Sequence, residues 1–198
     1  MGDVTRREAL RRIAVGGAAA ATAPLWVEAL AEAAAQHAAH RQTAAAAGTW
    51  SPKALTPDQN RAVIALAERI IPRTDTPGAT DAKVNEFIDA VLADAEPPDR
   101  QKFLDGLAWV NGRSQGEYGR SFAEASESQQ VALLTAIASK DRPADGPADQ
   151  TGRDFFTAIK SMTITGFYTS EVGLRDEIGD AGTLFFTEFE GCTHPEHQ

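Results

Sequence analysis

The densest group of reactive side chains lies at the end of the chain, in Gly191-Cys192-Thr193-His194-Pro195-Glu196-His197-Gln198. Cys192, His194 and His197 are ligand types for zinc or copper. The spacing is cramped, Pro195 stiffens its middle, and a chain end is a mobile place for a metal. The favoured expectation is therefore that this tail docks on another chain. Cys192 is then either buried as a small apolar residue or bonded to a partner thiol. The competing reading is an independent, exported, metal-dependent enzyme that uses Cys192, His194 and His197.

His37 and His40 stand three residues apart, but no third ligand lies nearby in sequence, so a solvated pair is expected. Ser170 lacks the flanking glycines of a nucleophile elbow and reads as a helix cap. No two carboxylates are patterned to take opposed acid and base roles. The nucleotide fingerprint, the phosphate loop and the covalent haem motif are all missing, so no cofactor is expected in this chain.

Arg6 and Arg7 carry a different kind of chemistry, that of an address. Thr5-Arg6-Arg7-Glu8-Ala9-Leu10 fits the twin-arginine pattern, and a weakly apolar stretch, Ile13 to Ala21, follows it. That stretch is too short and too rich in Gly and Ala to cross a membrane. The small-x-small site Ala29-Leu30-Ala31 reads as a cleavage point, so residues 1–31 are expected to be a signal peptide. The chain is then expected in the periplasm, or at the membrane through a complex. The twin-arginine route carries folded cargo, so a chain without a cofactor motif is expected to travel with a partner that holds one.

Composition narrows the partners. A formal net charge of −9 argues against a nucleic-acid partner and against a polybasic lipid anchor. The single cysteine excludes an internal disulfide. No apolar run is long enough to span a bilayer after the leader.

The elements that must position these residues are helical, and the class is all-α, an irregular bundle of about five to six helices. Residues 32–54 read as an alanine-rich arm or linker, extended or a frayed helix, with little face to bury. Residues 55–198 form the helical domain. Thr56-Pro57-Asp58-Gln59 is a capping box with proline in the first turn, and Val63, Leu66, Ala67 and Ile70 make the apolar stripe of the helix it opens. Pro72 ends that helix, and Arg73 to Gly78 form a stiff corner. A second helix is expected from Asp81 to Asp94, and a third from Asp99 to Val110, stopped by Asn111-Gly112. Residues 112–125 read as a loop. Ser126 to Gln129 is another capping box, Lys140 to Gly152 an exposed loop, and Arg153 to Thr163 the fifth helix.

Three stretches carry a resemblance. They are Ile70-Ile71-Pro72-Arg73-Thr74-Asp75-Thr76-Pro77-Gly78-Ala79, Gly166-Phe167-Tyr168-Thr169-Ser170-Glu171-Val172-Gly173-Leu174, and the ending Gly191-Cys192-Thr193-His194-Pro195-Glu196. With the leader, they resemble the gluconate 2-dehydrogenase subunit 3 family. The resemblance implies a non-catalytic small subunit that binds, stabilises and co-exports a large FAD-dependent dehydrogenase of the glucose-methanol-choline type, one that oxidises a sugar or sugar acid. It places FAD in that partner and adds a cytochrome c subunit as a further partner through the complex. No catalytic residue is carried over. Tyr168, Phe185, Phe186 and Phe189 are large rings that either complete the core of the five helices or, as expected here, exceed what it needs. With Cys192 and His194 they are the expected partner interface.

Overall fold

The computed structural model describes residues 24–40, 50–138 and 147–178, and these hold six α-helices and no strand. They are α1 (Leu25–His40), α2 (Pro57–Ile70), α3 (Val84–Asp94), α4 (Pro97–Tyr118), α5 (Glu127–Ala138) and α6 (Pro147–Tyr168). A 3-10 turn, Phe122–Glu124, links α4 to α5, and a π-helical turn, Gly173–Ile178, follows α6. The all-α expectation holds.

Helix α6 is the axis of the bundle, packing against each of the other five helices. Its Phe155, Ile159, Met162 and Phe167 are essentially inaccessible to solvent. Opposite them, Leu66 of α2, Ile88 and Leu92 of α3 and Phe103 and Leu107 of α4 close one continuous core. Burial of apolar area on this scale is what holds six short helices together, since none would be stable alone.

The two capping boxes are realised as read. The Thr56 side chain accepts from the Gln59 backbone at 3.3 Å while Gln59 returns the bond to the Thr56 N–H at 2.8 Å. Ser126 and Gln129 repeat the same exchange at the start of α5.

Four boundaries differ from the expectation, each for a tertiary reason. The alanine-rich stretch is no arm as far as His40: residues 32–40 are the second half of α1, where Ala34 is fully buried. Alanine contributes little to an amphipathic signal, yet its small side chain lets two helix backbones approach closely. The helix α3 begins at Val84, after Lys83 in a left-handed conformation (φ 53°), because Thr80 and Asp81 are engaged in the corner instead of capping. Asn111-Gly112 does not stop α4, which runs to Tyr118 and ends at Gly119 (φ 69°). Its buried face continues from Phe103 through Leu107 and Val110 to Ser114, while Gly112 and Gly116 sit on the open side with nothing near them. Finally α6 starts at Pro147, and Gly152, read as part of a loop, is buried against the Trp109 ring.

Candidate partner interface

Two surface features carry the motifs, and each is fixed by a different physics. The corner after α2 is a polar network. Glu68 accepts from the Arg73 N–H at 2.8 Å, and from the Thr80 N–H and hydroxyl at 3.1 and 2.7 Å. Asp81 accepts from the Gly78 N–H at 2.8 Å and clasps the Arg73 guanidinium through two nitrogens. Partial burial works to raise the Glu68 carboxyl, but these donors outweigh it and hold it below the usual range. The Arg73 side chain, then the Gly78 amide, hold the Asp81 carboxyl low as well. Pro72, Arg73, Thr74 and Asp75 remain exposed, on a frame that cannot easily bend.

The end of α6 is built by close approach. A side chain at Gly166 would lie 2.7 Å from the Phe87 ring of α3, so only glycine lets these two helices meet here. One turn later the Phe167 carbonyl occupies the space a side chain on Gly173 would need. Ser170 ties the turn together, donating to the Phe167 carbonyl at 2.6 Å and accepting from the Gly173 N–H at 3.0 Å. The capping role read for Ser170 is the role it has. Phe167 is buried, while Tyr168 is half-buried, its ring meeting that of Phe167 edge-on at 5.1 Å.

Of the residues expected at a partner interface, only Tyr168 falls among the described residues. Phe185, Phe186, Phe189, Cys192 and His194 lie outside them, as do His197 and the leader arginines Arg6 and Arg7. His37 is not a solvated residue: its Nε2 lies 3.0 Å from the Asp94 carboxylate, and its ring meets Phe87 edge-on at 6.5 Å. Among the described residues, no three His, Cys, Asp or Glu side chains gather into a metal site. Nor is any of their helices long and apolar enough to cross a membrane.

Two concavities of about 260 Å³ flank α5. The first, against α4 and α6, is walled by Trp109, Tyr118, Leu133 and Ile137, with Arg113 at its rim bonded to Glu117 and 4.0 Å from Asp149. The second is a shallow groove between α2, α5 and α6, where Ile70, Leu134 and Phe156 lie beside Val131, 48% exposed. Its rim carries Lys160 and Arg69, the latter ion-paired with Glu127. The first has a mixed lining in which Arg113, Glu117, Asp149 and Arg153 stand among the apolar residues, while the second is mainly apolar with a charged rim, an arrangement suited to protein contact.

Sequence reasoning passed over Asp89, which proves to organise the approach to α2. It is 1% exposed on α3 and accepts from the N–H groups of Lys53, Ala54 and Leu55 at 2.8, 3.0 and 2.9 Å. The available signal was an acidic residue inside the apolar run from Phe87 to Leu92.

The pattern of the family described as gluconate 2-dehydrogenase subunit 3 matches residues 57–181, more than half of the chain. Comparison with curated proteins and with solved structures returns no match.

Proposed function

Because the chain belongs to the gluconate 2-dehydrogenase subunit 3 family, we propose that it is a non-catalytic small subunit that binds, stabilises and co-exports a large FAD-dependent dehydrogenase acting on a sugar or sugar acid. The family match carries this reading, since it describes a subunit of a dehydrogenase. In this reading the chain holds no cofactor, and the flavin resides in the partner. A cytochrome c subunit joins through the complex. The twin-arginine leader at Arg6 and Arg7 brings the folded pair to the periplasm or to the membrane surface. The partner face includes Tyr168 and the tail residues Phe185, Phe186, Phe189, Cys192 and His194.

The test is co-expression with the flavoprotein, with Arg6 and Arg7 both changed to Lys. Both chains should then stay in the cytoplasm, the flavoprotein included, because one leader serves two folded chains. A flavoprotein exported as before would show that it does not depend on this chain. Truncation after Glu190 combined with Tyr168→Ala should abolish co-purification while leaving the helical circular dichroism near normal. Full-affinity binding by that variant would remove these residues from the interface.

A further inference from the structure

The small-x-small site read as the end of the signal peptide lies inside a packed helix. Ala29, Leu30 and Ala31 fall in the second turn of α1, whose backbone starts at Pro24, the carbonyl of which accepts from the Val27 N–H at 2.9 Å. Leu30 is 1% exposed, and Trp26 and Val27 before it are 8% and 4% exposed. Ala34 beyond the site is fully buried. Together they seat α1 against α6, α3 and α4. Further along the helix, His37 adds its contact with Asp94.

A peptidase takes the residues before its bond in extended form, so α1 would have to leave the core and unwind before it could be cut. The twin-arginine route delivers its cargo already folded, with α1 docked. Cutting after Ala31 would also strip Trp26, Val27 and Leu30 from the core and leave the apolar surface they cover open to water.

We propose that the fold closes the Ala29-Leu30-Ala31 site, and that the exported chain keeps α1 whole as a permanent part of its core. The boundary between address and domain then lies before Leu25, not after Ala31. The inference rests on the export reading for its setting, but the membership of α1 in the core stands apart from it.

Two measurements separate these. The first is the intact mass and N-terminal sequence of the full chain recovered from the periplasmic fraction. A terminus at or before Leu25 is expected, and a chain beginning at Glu32 overturns the proposal. The second compares the melting temperature of the full chain with that of chains produced from Pro24 and from Glu32. The chain from Pro24 should melt with the full chain. The chain from Glu32 should melt lower by about 10 °C or more, having lost three buried side chains, or should fail to fold. Equal melting of all three overturns the proposal. A full chain that never leaves the cytoplasm refutes the export reading alone, and the melting comparison still decides whether α1 belongs to the core.

Discussion

Two irregular segments flank α2, and carboxylates fasten both to the bundle by the same chemistry in opposite surroundings. Before the helix, Asp89 takes three consecutive backbone N–H groups of residues 53–55 at a site 1% exposed. After it, the half-buried Glu68 and Asp81 take the N–H groups of Arg73 and Thr80 at the surface and of Gly78 just beneath it. Water competes more for the second set than for the first. A charged acceptor without water is strongly committed to its donors, and its removal strands them. An acceptor at the surface leaves donors that water can satisfy, so it fixes shape more than it adds stability.

The contrast is broken most directly at the buried end. Asp89→Ala should cost about 3 kcal/mol in urea unfolding, because the Leu55 amide is buried and its neighbours partly so. Asp89→Asn should cost less, since one oxygen still accepts. A loss for Asp89→Ala no larger than that of a surface mutant would end the distinction between the two clasps.

At the exposed end, Glu68→Gln should cost about 1 kcal/mol, discounted by solvent. Amide exchange should speed up at Arg73 and Thr80 while α2 stays protected. Faster exchange throughout α2 would mean the corner supports the helix rather than merely redirecting it.

Pro72→Ala removes a restriction on the unfolded chain and should cost about 0.5–1 kcal/mol. It should leave the corner intact, because Glu68 and Asp81 hold it from both sides. Melting curves unchanged in the free chain and in the complex would deny Pro72 any structural part.

The smallest effect is acid sensitivity. Glu68 and Asp81 are both held below their ordinary values, so their contribution is complete above the unfolded-state values near 4. It fades as pH falls through the lower folded-state values. Amide protection at Arg73, Gly78 and Thr80 should therefore persist from neutral pH to about pH 4 and decline below it. Protection lost already at pH 6 would show that another group governs the corner.

Much of this architecture is written locally. The capping boxes at Thr56 and Ser126 announce their helices because each needs only residues three apart. Pro72 marks the end of α2 because a proline excludes helix whatever surrounds it. Ser170 reads as a cap because its partner, Gly173, lies within the same turn. The motif stretches led to the right family.

What the tertiary structure alone decided are the places where the local signal is weak or misleading. Gly112 looks like a stop but rides on the open face of a helix whose other side is buried at Val110 and Ser114. Gly152 looks like a loop residue but makes room for Trp109, and Gly166 makes room for Phe87. The alanines of α1 give almost no amphipathic pattern, yet Ala34 is inaccessible because a small side chain is what close helix packing selects. The sequence by itself determined the class, the starts of α2 and α5, the corner and the family. Only the assembled bundle decided which glycines and alanines are interior, and that Trp26, Val27 and Leu30 belong to the core. Burial is a property of the neighbours a residue meets across the fold, and no window along the chain contains them.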